Sequence, residues 1–398
     1  VNENLGLAII HTLFLREHNR IARSLEALNP GWTDEELFEE SRKIVGAILQ
    51  HLAYSEFLPY LLNEETRSEN GLLLQPDGFY HGYDMTVNPT VGNAVANAVL
   101  QYLFTTMPSS MERYSRDLNV MGYMKMSEQF FNPSEMYANK FDEYLLGMIS
   151  QSAKGADPFV AEEMTNSLSE DAREGFDFVA FAIQRGRDHG LPGYLEYRRS
   201  CKVEPTVTRF DDLTTVMKAD VIKKLKGLYK DVRDIDLFTG GLSERPMSGA
   251  LVGPTFACLL GRQFNFLRRG DRFWYENDMP PSAFTREQLN EIRKVTLARI
   301  LCDNGDAVDF VQPQTMVSSD PFLNAFQLCS TRSIFEPMDF SHWKAVEAPA
   351  SVGNITISDQ LLKRELTRAR REANELLERE LALESGRSAA DNVVSASQ

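Results

Sequence analysis

Residues 183–194 read IQRGRDHGLPGY, two arginines set around Gly186 and followed at once by Asp188 and His189. A guanidinium presents paired donors that match a carboxylate, so such a stretch either grips an anionic group of a ligand or closes an internal salt bridge. Residue chemistry alone favours the internal bridge. Downstream, GDRFWYEN (270–277) is an aromatic-rich run that reads as core packing. Upstream, NAVANAVLQYLFTT (93–106) belongs to an apolar helix from Val91 to Phe104, closed by Pro108.

The flanking sequence is that of a globular chain. It has 398 residues, 43% apolar and 10% aromatic, enough for one large domain or two ordinary ones. A formal net charge of -15 disfavours nucleic acid or an anionic membrane as main partner, since both need clustered Lys and Arg. No run approaches the roughly 18 to 20 apolar residues that span a bilayer, and Val1-Asn2-Glu3-Asn4 lacks the features of a signal peptide. Cys201, Cys258, Cys302 and Cys329 are too widely spaced for a zinc module; three disulfide pairings are open, and buried thiols are as common an outcome.

Helical periodicity dominates. Leu7 to Leu28 repeats at three- and four-residue steps and stops at Asn29-Pro30-Gly31. A second helix starts on a Thr33/Glu36 capping box and runs towards Pro59. Residues 64–90 read as loop, and further helices are expected around 134–152, 158–169, 176–184, 191–200, 211–228, 254–268 and 285–302. Strand signals are scarce. His11 and His18, two turns apart, are too distant to chelate one metal and read as packing or capping residues; His51, His81 and His342 read as isolated structural histidines. No metal site is expected. From Ser358 to Glu384 the chain is densely charged, with Leu362, Leu366, Ala369, Ala373 and Leu376 in a narrow stripe of about two heptads. A lone charged helix is the simpler reading, self-association through 358–384 the sharper one.

The motifs above, together with HTLFLREHNRIA (11–22), LNPGW (28–32), SRKIVGAILQ (41–50), VGPTFACLLGRQF (252–264) and RILCDN (299–304), resemble the animal haem peroxidases in order and spacing over about 1–345. The resemblance implies a mainly α, haem-peroxidase-like helical domain over 1–345 that is N-terminally incomplete. A linker (346–357), a charged helix that could form a short coiled coil (358–385) and a disordered tail (386–398) follow. It also implies the pairs Cys201–Cys258 and Cys302–Cys329 and a secreted, extracellular chain, with which the Asn354-Ile355-Thr356 glycosylation sequon agrees.

Peroxidases of this family oxidise donors with hydrogen peroxide at a haem whose iron is bound by a proximal histidine, itself hydrogen-bonded to an asparagine. A distal histidine and arginine cleave the O–O bond. The proximal helix matches the family pattern N-x-F-x-x-A-x-x-R-x-G-H at Asn93, Val95, Ala98, Gln101, Leu103 and Phe104, so the ligand position falls on Phe104. Gln101 stands where the family has an arginine that contacts a haem propionate, Leu103 where it has a glycine, and Ala182 where it has the partner asparagine. Glu3 matches the glutamate that esterifies haem, and Arg185 the arginine that holds a propionate. Bracing of its loop through a buried carboxylate is the favoured reading of Arg185 here. The distal residues and the family's calcium site would lie before Val1. The expectation is a degenerate peroxidase that does not bind haem in the usual way and serves as an extracellular scaffold for a protein partner. The alternative is a peroxidase active only with an N-terminal part, its haem held by Glu3 and Arg185.

Overall fold

Apolar residues at four-residue steps set the longest helix of the computed structural model, which describes residues 1–167 and 175–345. In α1 (Leu5–Leu28) Leu5, Ile9, Leu13, Ile21 and Leu25 are buried, with Glu17 at the one polar place in the stripe. Glu17 accepts from Arg20 at 2.8 Å and from the Asn304 side-chain amide at 2.7 Å, so its buried charge is paired. α2 (Asp34–Leu52) starts on the expected capping box at Thr33 and Glu36 and packs along α1. A π-helical turn (Ala53–Phe57) leads from it into α3 (Leu58–Leu61).

The remaining elements are α4 (Glu64–Glu69), the antiparallel hairpin β1 (Ser110–Tyr114) and β2 (Val120–Lys125), α5 (Ser134–Tyr137), α6 (Phe141–Ser150), α7 (Glu162–Thr165), α8 (Phe178–Asp188), α9 (Tyr194–Ser200), α10 (Ala219–Leu228), α11 (Leu237–Ser243), α12 (Pro254–Arg269), α13 (Arg286–Lys294), α14 (Leu297–Asn304) and the short pair β3 (Phe310–Val311) and β4 (Gln327–Leu328). The fold is mainly α, as expected. A large core runs through α1, α2, α6, α12 and α14. A smaller one gathers Tyr194, Leu213, Met217, Ile222, Leu225 and Ile235 around α9 and α10. No helix among the described residues is long and apolar enough to cross a membrane.

Several boundaries differ from the sequence reading for local reasons. Residues 64–90 are not all loop, because the Asn63 side chain accepts from Thr66 N and caps α4. The expected helix over 134–152 is two, broken at Asn139, whose φ of 59° lies in the left-handed region. Thr296 caps α14 and separates it from α13. The β1–β2 hairpin escaped the pattern because Val120 is the sole β-branched residue in its two strands. Cys201–Cys258 and Cys302–Cys329 are both bonded, the pairing the resemblance implies. The linker, the charged helix with its self-association stripe, the Asn354 sequon and the tail lie outside the described residues.

Candidate functional site

The segment expected to be a single α-helix from Val91 to Phe104 changes pitch along its length. It is π-helical over Val95–Val99 and 3-10 over Leu100–Thr106. Two side-chain amides compete there for main-chain carbonyls: Asn97 Nδ2 donates to Asn93 O at 3.2 Å, and Gln101 Nε2 donates to Ala96 O at 2.7 Å. Carbonyls engaged by side chains four and five residues ahead are drawn away from a regular ladder.

At the end of this segment Phe104 meets α8. Its ring centroid lies 4.4 Å from that of Phe178, at an interplanar angle of 33°. Phe178 and Ala182 are the two buried residues of α8, and Ala182 has no exposed surface at all. The two positions that the resemblance assigns to a metal ligand and its hydrogen-bonding partner therefore belong to one apolar contact zone of the 91–106 segment and α8. A phenyl ring has no lone pair to offer a metal, and a methyl group donates no hydrogen bond. Gln101 is buried, with its amide spent on Ala96 O, while Leu103 remains 38% exposed.

The 183–194 motif divides its labour in a way the sequence did not reveal. Arg187, not Arg185, closes the internal salt bridge, donating from Nε and Nη2 to the two Asp236 oxygens at 2.9 and 2.8 Å. That pair, with a contribution from Tyr229, holds the Arg187 guanidinium well above its ordinary pKa. Among the described residues no buried carboxylate braces Arg185. Its guanidinium lies 4.9 Å from the Phe181 ring centroid, one turn back on α8, and no carboxylate among the described residues pairs with it. Glu3 is exposed at the start of the chain, with its main-chain oxygen accepting from Phe131 N.

His189 and Asn93 form a clasp that sequence reasoning missed. Asn93 Nδ2 donates to His189 O at 3.2 Å, and the His189 Nδ1 lies 3.0 Å from Asn93 Oδ1. With an amide oxygen as acceptor, the proton belongs on Nδ1. The clasp ties the start of the 91–106 segment to the end of α8. Among the other histidines, the His18 ring lies 5.3 Å from that of Phe38 in a tilted arrangement, and His11 is exposed. His81 and His342 are exposed as well.

In the aromatic run 270–277 Trp274 and Tyr275 are core, as expected, whereas Phe273 is exposed, and the run carries a heavily bonded buried charge. Glu276, fully buried, accepts from Arg268 at 2.7 Å, Arg293 at 2.9 Å, Trp274 Nε1 at 3.2 Å and Gln75 N at 3.1 Å. A carboxylate inside an aromatic run is the sequence signal for such a group, since it can be buried only if paired. Beside it, His51 Nδ1 lies 3.0 Å from the Tyr275 hydroxyl. Burial, the larger cause, with Arg293 adding to it, pushes the His51 pKa down to about 4. No group of three or more His, Cys, Asp or Glu that could hold a metal ion occurs among the described residues.

Comparison with known proteins follows the same outline. The family model described as animal haem peroxidase matches residues 1–316. Peroxidasin homolog pxn-2 of Caenorhabditis elegans is 39% identical over 336 residues, covering 83% of this chain and 25% of the relative. The peroxidasin homolog of Homo sapiens is 39% identical over 318 residues, covering 78% and 21%. Among solved structures, Peroxidase A from Dictyostelium discoideum superposes with a TM-score of 0.69 at 32% identity, over 79% of this chain and 57% of that one. A fatty acid alpha-dioxygenase of Oryza sativa, at 15% identity and a TM-score of 0.61, shares the fold. The chain spans about a quarter of the length of the peroxidasin relatives it matches.

Proposed function

We propose that this chain, which belongs to the animal haem peroxidase family, is a degenerate peroxidase domain that reduces no peroxide and serves as an extracellular scaffold or interaction domain. The observation that carries this reading is the Phe104 ring packed at 4.4 Å on Phe178 where the family places its iron ligand. Haem, when bound by family members, supplies the iron at which peroxide is cleaved. The residues here do not fit it. Phe104 cannot coordinate, Ala182 cannot orient a ligand, and Gln101 is turned into its own helix instead of towards a propionate. Two disulfides support an oxidising, extracellular setting. The charged 358–384 stretch fits a self-association role on its sequence pattern, which sedimentation with and without residues 358–398 tests.

The deciding experiment is titration of the purified chain with haemin, followed by a peroxide-dependent dye assay. The expected result is no sharp Soret band and no turnover above free haemin. A saturable Soret band with turnover would overturn the reading.

A further inference from the structure

The small core around Tyr194 meets the large core along a cleft of about 390 Å³, within the range of ~300–1,000 Å³ typical of small-molecule sites. Its walls are apolar: Val221 from α10, Leu242 from α11, and the half-exposed Phe159 and Leu251. Lys218 and Arg245 also line it. A single antiparallel bridge between Met217 and Glu244 brings these two cations together. Arg245 N donates to Val216 O at 2.8 Å, and Arg245 Nη2 donates to Met217 O at 3.3 Å, which sets the guanidinium beside the Lys218 peptide.

Neither cation has an ion-pair partner among the described residues. Unlike Arg187, Arg198, Arg268 and Arg293, which are matched with carboxylates, these two cations at an apolar cleft are open to an external anion. Two acids also line the cleft. Glu244 is engaged by Arg198, Tyr194 and Thr255, at 2.7, 2.6 and 2.6 Å. Asp157 accepts from Phe159 N at 2.9 Å, which leaves one cation in excess.

We propose that this cleft binds a small amphipathic anion, an apolar chain with one carboxylate or sulfate head, the head between Lys218 and Arg245 and the body along Val221, Leu242 and Leu251. The cations select the sign of the head, and the walls take up the methylene groups. The site shares no residue with the Phe104 region, so it stands or falls apart from the proposed loss of peroxidase chemistry.

Calorimetric titration of the full chain with hexanoate, octanoate, decanoate, decyl sulfate and decanol tests it. The expected result is one saturable site for a ten-carbon anion, weakening about fourfold for each methylene removed, with decanol bound at least thirtyfold more weakly than the anion. Saturation by decanoate alone assigns a carboxylate head, saturation by decyl sulfate alone a sulfate head, and saturation by both a site for either. The double variant Lys218→Glu/Arg245→Glu should weaken binding at least thirtyfold, and Lys230→Glu, outside the cleft, should leave it unchanged. Should the double variant unfold by circular dichroism, Leu251→Glu, at a half-exposed wall position, must give at least a tenfold loss. The proposal is overturned by absence of saturable heat with both anions, by affinity independent of chain length, or by undiminished binding in the folded cleft variants.

Discussion

The rings of Phe104 and Phe178 lie 4.4 Å apart and 33° from parallel, bonding the 91–106 segment to α8 by apolar contact. Phe178 is buried and Phe104 partly so, which sets an order of cost. Phe178→Ala should lower unfolding free energy by about 3–5 kcal/mol, and Phe104→Ala by less. The double-mutant cycle should return a coupling of about 0.5–1.5 kcal/mol beyond area burial. Urea denaturation of the four proteins measures it. A coupling near zero would mean that the rings do not support one another.

Glu276 is the second focus. Removing its charge leaves the Arg268 guanidinium buried without an anion and Arg293 nearly so. Glu276→Gln should therefore destabilise by about 3–5 kcal/mol, the cost of an uncompensated buried charge. A loss under 1 kcal/mol in chemical denaturation would show that the triad contributes little.

How much of this was legible in the sequence depended on whether the signal was periodic or relational. The α1 stripe and the Thr33/Glu36 cap follow from local spacing, and both were readable. The flanking motifs also set the register by which the resemblance assigns the ligand position to Phe104. Contacts between distant residues were not readable. Nothing local says that Arg187 would find Asp236, or that Asn93 would clasp His189. The pitch change over 95–106 was hidden for the opposite reason: an apolar helical pattern carries no mark of side-chain amides competing for its carbonyls.

The disulfides constrain the unfolded chain. Cys201–Cys258 spans 57 residues and Cys302–Cys329 spans 27, giving about 4 and about 3.5 kcal/mol respectively on the chain-entropy model. Replacing each pair by serines should lower stability in that order in urea. The reverse order would place the stabilisation in native-state contacts instead of loop closure.

His51 makes stability depend on pH. Its folded pKa of about 4 lies below the ordinary value of 6.5, chiefly because burial penalises the imidazolium. Above pH 6.5 the ring is neutral in both states, and the stability it contributes is fully present. As pH falls below 6.5 the unfolded chain binds a proton that the folded chain refuses, so stability drops by up to about 1.4 kcal/mol per pH unit. The loss levels off below about pH 4, where the folded state also protonates. His51→Gln keeps a polar partner for the Tyr275 hydroxyl and removes the titration. Between pH 7 and pH 5 the variant should therefore lose less stability than the wild type, by about 1.5–2 kcal/mol. Parallel pH profiles for the two proteins in urea denaturation would place the acid sensitivity in the carboxylates instead.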